Sequence, residues 1–116
     1  MTAAPTDSLD IIHPYFLNGW ENFGEPYEVV EILKNKDGLV TMNGLAKGDY
    51  SKIIFRLPEG WKPKKLLIFS ICSENISRRL DINSNCEVFL TNNGSPGTIN
   101  GNGWVSFSGI SFYAKH

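Results

Sequence analysis

Apolar and polar residues alternate along most of this chain with the period of two that marks a β-strand. The segment Tyr27-Glu28-Val29-Val30-Glu31-Ile32-Leu33 is rich in β-branched residues and ends at Asn35-Lys36-Asp37-Gly38. Asp-Gly between two apolar runs predicts a hairpin, because glycine supplies the positive φ that the turn requires. The return strand is expected over 39–45, with Val40 and Met42 on one face and Thr41 and Asn43 on the other. Gly48-Asp49 predicts the next turn, and 52–57 a third run stopped by Pro58.

Pro58-Glu59-Gly60-Trp61-Lys62-Pro63 reads as a rigid loop, two prolines fixing φ around one glycine. The run 66–72 is almost continuously apolar, which predicts a strand buried on both faces or inside an oligomer. Residues 79–82 alternate charged and apolar side chains, as a half-exposed strand does. Residues 87–90 form a further strand after an Asn83-Ser84-Asn85 turn, and 91–103, dominated by Asn and Gly, predicts no regular element. In the last segment, 104–113, Val105 and Phe107 share one phase whereas Ile110 and Phe112 share the opposite one. A one-residue slip at Ser108-Gly109 is the mark of a β-bulge and keeps all four facing the core.

No stretch carries the i, i+3, i+4 pattern of an amphipathic helix longer than two turns. Short strands with a turn signal roughly every ten residues predict an all-β protein, an antiparallel sandwich or barrel of about eight strands. Its 116 residues suit a single domain, which we place at 15–116 behind an N-terminal arm at 1–14. Ile11 and Ile12 of that arm are candidates to anchor it on a neighbour.

Composition narrows the function. A formal net charge of −1 gives no general attraction to nucleic acid or anionic membrane, so nucleic acid is not expected as a partner. The N-terminus has neither the basic nor the apolar region of a secretory signal, which predicts synthesis in the cytoplasm. Cys72 and Cys86 are expected to be free buried thiols, with a cross-strand disulfide as the alternative.

A search for chemistry finds little. The histidines are His13, in the arm, and His116, the last residue, neither placed to act as a general base. Asp7, Asp10, Asp37, Asp49 and Asp81 are scattered, with no D-x-D cluster and no H-x-x-x-H. Phosphate-loop motifs are absent. No enzyme activity, cofactor or metal is therefore expected. Binding surfaces are easier to find. Trp61, Lys62, Lys64 and Lys65 place an aromatic ring and three cations at one rim, a candidate loop for phosphate-rich wall polymer or lipid head groups, unless Trp61 packs on the core edge. Arg78 and Arg79 add two cations near a turn, and 92–97 reads as a polar binding loop or a plain connector. Leu66, Leu67, Ile68 and Phe69 are the candidate oligomer-interface strand. Trp20, Phe23, Phe55, Phe69, Phe107 and Phe112 are expected to fill core and interface.

Four pieces in order, 17–20 (LNGW), 38–44 (GLVTMNG), 57–63 (LPEGWKP) and 104–112 (WVSFSGISF), carry a resemblance. Over about residues 17 to 113 the chain resembles the small β-sandwich module at the C-terminal ends of tail-fibre and receptor-binding proteins of phages of Gram-positive bacteria. As a stand-alone module it is similar to the lytic-cassette proteins of Bacillus prophages of the YomS and XepA type. The resemblance implies a C2-like antiparallel sandwich that assembles into a disc-shaped homopentamer with a central opening, located in the host cytoplasm or at its membrane and encoded beside the holin and endolysin genes. A tail receptor-binding role, as a trimer in the virion, and peripheral membrane binding are the alternatives. The loops lack the clustered aspartates of calcium-binding C2 domains, so no calcium dependence is expected.

Overall fold

The hairpin predicted at Asp37-Gly38 forms as expected. Strands β3 (Glu31–Lys34) and β4 (Leu39–Asn43) pair antiparallel, Lys34 facing Val40 and Glu31 facing Asn43. Gly38 has φ +88° and donates its N–H to the Asn35 carbonyl at 3.0 Å, while Asn35 Oδ1 accepts from the N–H groups of Asp37 and Leu39. Val40 and Met42 are buried, and Thr41 and Asn43 lie on the outer face.

The computed structural model describes residues 9–114, in which there are eleven strands and no helix. The remaining strands are β1 (Asp10–Ile12), β2 (Glu21–Asn22), β5 (Leu45–Asp49), β6 (Phe55–Arg56), β7 (Leu67–Ser73), β8 (Ile76–Ile82), β9 (Glu87–Leu90), β10 (Asn102–Ser106) and β11 (Ser111–Tyr113). They form three antiparallel sheets in the orders β1-β3-β4-β11, β10-β5-β2 and β6-β9-β8-β7. The first two are halves of one creased layer, because β4 runs into β5 and β10 runs into β11 at the same level. The third sheet covers the inner face, giving the predicted all-β sandwich.

The crease explains why there are more strands than the expected eight. Gly44, at φ +105°, separates β4 from β5, and a Cβ there would lie 2.6 Å from the Val29 carbonyl carbon. Opposite it, Phe107 donates to the Gly44 carbonyl at 2.9 Å and Met42 to the Ile110 carbonyl at 3.0 Å. Ser106 faces Leu45 and Ser111 faces Thr41, so the step from 106 to 111 on one side spans only 45 to 41 on the other. That is the one-residue slip expected at Ser108-Gly109. It takes the form of a tight turn, Gly109 at φ +94°, rather than a bulge in a continuous strand. Val105, Phe107, Ile110 and Phe112 are all buried, as their phases predicted.

Several expectations need correction. The strand predicted over 27–33 pairs in register only from Glu31, because past the crease β5 pairs with β2; there the Glu28 carbonyl accepts from the Leu45 N–H at 3.2 Å and the Val30 N–H donates to Asn22 Oδ1 at 2.8 Å. Gly48-Asp49 is no turn but the end of β5, and the chain bends at Tyr50-Ser51. The run 52–57 pairs only at Phe55 and Arg56, and the last strand begins at Asn102, inside the segment predicted as loop. Residues 79–82 are not half-exposed, since Asp81 is 0% exposed. The Asn- and Gly-rich loop folds back over it. Thr91 donates its N–H to the Arg79 carbonyl at 3.2 Å, and Gly94 sits where a Cβ would be 3.5 Å from Arg79 Nη2. The loop is tied together by Thr91 Oγ1, which donates to the Ser95 carbonyl at 2.7 Å and accepts from the Gly94 N–H at 2.8 Å. The described part of the N-terminal arm is a strand, β1, laid on β3 with Ile12 facing Ile32, so Ile12 is anchored on its own core. Residues 1–8 of that arm and His116 lie outside the described residues.

The core runs between the layers. Phe55, Leu80, Ile82, Val88 and Leu90 of the third sheet meet Ile32, Val40, Met42, Ala46, Val105 and Phe112 of the creased layer. Phe55 and Phe107 touch across the gap with ring centroids 5.6 Å apart.

Candidate functional site

Where the two layers meet at one side, they leave a seam. The edge strand of the third sheet is β7 and that of the creased layer is β11, and no ladder joins them. Phe69 and Phe112 bridge the gap with centroids 6.5 Å apart. Above them a groove of about 510 Å³ is lined by Pro63, Lys64, Lys65, Leu67, Phe112 and Tyr113. The sequence LIFSICS of β7 carries no charge and no proline, the devices that commonly blunt a sheet edge.

The candidate interface residues divide by phase. Leu67 and Phe69 point inward and are partly buried, whereas Leu66 (43% exposed) and Ile68 (57%) face solvent. Burial of this run on both faces within one chain is therefore corrected, since β7 is an edge strand with one open face. Its free thiol Cys72 is on that open face and exposed, contrary to the expectation of two buried cysteines. Cys86 is buried, and burial pushes its thiol above the usual range, with Lys62 opposing and Glu59 adding to the shift.

The candidate binding loop is taken apart by the fold. Trp61 is 8% exposed and belongs to the core, with the Lys34 ammonium 4.6 Å from its ring centroid and donating to the Gly60 carbonyl at 2.9 Å. Lys62 is mostly covered and lies 3.7 Å from Glu59. Lys64 and Lys65 are exposed and line the seam groove instead. The other predicted cations are also occupied. Arg78 stacks on the Tyr50 ring at 4.8 Å, and its buried Nε has no hydrogen-bond partner among the described residues. Arg79 grips Asp81 with two bonds, Nε to Oδ1 at 2.8 Å and Nη2 to Oδ2 at 3.0 Å, which holds its guanidinium pKa above the ordinary value.

A second groove lies on the outer face of the lower half-layer. Glu21, Lys47 and Trp104 stand in one row across β2, β5 and β10. With Asn18, Phe23, Asp49, Glu74 and Asn102 they line a groove of about 470 Å³. Phe23 and Trp104 also line a neighbouring groove of about 480 Å³ with Tyr27 and Leu45. The Phe23 ring is held in place, meeting Tyr27 edge-on at 5.2 Å with Lys47 5.3 Å from its centroid, and the backbone N–H of Trp104 donates to Glu74 Oε2 at 3.1 Å. Asp49 accepts from the hydroxyl and the N–H of Ser51 at 2.7 and 2.9 Å, which lowers its pKa and keeps it ionised. Sequence reasoning missed this groove because its residues come from four distant segments. Only the strand order, with β5 between β2 and β10, brings them together.

Among the described residues, no group of three or more His, Cys, Asp and Glu side chains is placed to hold a metal ion, and no helix is long and apolar enough to cross a membrane. No family model, curated protein or solved structure matches the chain.

Proposed function

We propose that this chain is a non-catalytic module of phage type that works by assembling with copies of itself into a ring, five copies in preference to three. The observation that carries the reading is the open seam beside β7. The first half of β7 is an uncharged edge with Leu66, just before it, and Ile68 in water, a template for another chain, while its far end is tied to β10 through Ser73. The creased layer has its other edge at β1, at the far end of the order β1-β3-β4-β11, where Leu9 (50%) and Ile11 (51%) are exposed. Contact between two different edges of one molecule is head-to-tail, and a head-to-tail contact that closes makes a cyclic oligomer. The two edges also complement in charge, Asp10 on β1 against Lys64 and Lys65 at the seam. Burying Ile68 at such a contact contributes about 2 kcal/mol per subunit.

The native mass of the purified protein, by light scattering or native mass spectrometry, tests this. A complex of five copies is expected. Ile68→Lys or Ile11→Lys, each at an exposed position, is expected to yield a folded monomer. A wild-type protein that stays monomeric at high concentration overturns the reading, and a trimer shifts it to a fibre-tip role in the virion.

A further inference from the structure

We infer that the groove around Trp104 and Phe23 is a saccharide-binding site, suited to a short oligosaccharide that is neutral or carries amino sugars. This goes beyond self-assembly, because none of the residues lining the groove of about 470 Å³ belongs to the seam or to β1, and the neighbouring groove meets β7 at Cys72, away from Leu66 and Ile68.

The ligand class follows from the lining. A sugar ring presents an apolar face of C–H groups and a polar rim of hydroxyls. Its apolar face packs on an aromatic ring, and its rim needs planar polar side chains that can accept or donate two bonds. The groove supplies both, Trp104 and Phe23 as rings and Asn18, Glu21, Asp49, Glu74 and Asn102 around them. It is open rather than enclosed, and rimmed by carboxylates, so a purely apolar ligand would remain half in water beside charged groups.

Charge sets the finer choice. Three carboxylates face one ammonium, Lys47, which already lies over the Phe23 ring. Phosphate-bearing polymers are repelled by that balance, whereas a protonated amino sugar is attracted. The neighbouring groove, which shares Phe23 and Trp104, extends the surface past a single sugar unit.

Tryptophan fluorescence gives a direct readout. Trp20 and Trp61 are buried, and Trp104 is half-buried in the groove wall, so a ligand there changes the emission and quenching of Trp104. The probes are the trimer of N-acetylglucosamine, its de-acetylated cationic counterpart, maltotriose and poly(glycerol phosphate). Saturable binding of at least one of the three sugars is expected, with poly(glycerol phosphate) weaker than any sugar that binds. Trp104→Ala should weaken that binding about tenfold or more at unchanged oligomer mass, and Trp104→Phe should recover much of it. Glu21→Gln with Glu74→Gln should weaken the cationic trimer more than the acetylated one. Failure of all three sugars to bind overturns the proposal, as does wild-type affinity in Trp104→Ala or tighter binding of poly(glycerol phosphate). None of these results bears on the ring, whose test is mass alone.

Discussion

Gly48 and Gly103 face each other across β5 and β10, and the space their missing side chains leave is filled by the rings of Trp20 and Tyr50. A Cβ on Gly48 would lie 2.7 Å from Trp20 Cγ, and one on Gly103 would lie 2.8 Å from Glu74 Cγ and closer still to Tyr50 Oη. The two rings are 6.4 Å apart, with Trp20 Nε1 donating to the Asp49 carbonyl at 3.0 Å. Ser73 Oγ lies 2.7 Å from Tyr50 Oη and 2.8 Å from the Trp104 carbonyl, tying the end of β7 to β10.

Adding one methyl group at either glycine should therefore overpack this rung. Gly48→Ala and Gly103→Ala are each expected to destabilise by about 1–3 kcal/mol. Gly48 is the cleaner probe because its neighbour is a rigid buried ring, and its φ is not in the left-handed region. Urea unfolding checks this. An unchanged urea midpoint in Gly48→Ala would show that Trp20 can move aside.

The Arg79–Asp81 pair joins a two-pronged guanidinium to a buried carboxylate. Removing the arginine leaves a carboxylate at 0% exposure without its cation, so Arg79→Ala should destabilise the fold at neutral pH. Arg79→Lys should not restore it, since an ammonium cannot make the two-pronged contact. The double replacement Arg79→Met with Asp81→Leu should cost much less than either single loss. Chemical denaturation of the set at one pH decides the matter.

The two thiols should behave oppositely. Cys72 is exposed and should react with an aromatic disulfide reagent in the native protein, whereas Cys86 should react only on unfolding. Because burial raises the folded pKa of Cys86, its contribution to stability is complete below the ordinary thiol pKa. It declines as pH rises past that value toward the folded one, the unfolded chain ionising first. Cys86→Ala should flatten that alkaline decline. Equal reactivity of both thiols would show that the Asn83–Glu87 turn opens readily.

Much of the fold was legible because apolar phase is a local property. The hairpin at Asp37-Gly38, the burial of Val40 and Met42, strand β9 and the slip at Ser108-Gly109 each follow from a few adjacent residues. What escaped depends on residues that meet only after folding. Gly48 looked like a turn signal, yet it is small because Trp20, distant in sequence, lies on it. Asp81 looked like the polar half of an alternating strand, yet a distant loop covers it. Trp61 looked like part of a basic rim, yet Lys34 of another strand crosses its ring. The Trp104 groove was invisible for the same reason, being a row of one residue each from β2, β5 and β10.

The crease at Gly44 and Gly109 divides the labour of the surface. The upper plate, β1-β3-β4-β11, carries the β1 edge and borders the seam beside β7 through β11, and the lower plate, β10-β5-β2, carries the groove. Two joined plates can be altered independently so long as the fold line between them is kept. Changes in the groove that retune its ligand would leave the ring intact, and changes in the edges that alter copy number would leave the ligand alone. A sandwich with such a fold line has two separately evolvable faces within one pair of layers.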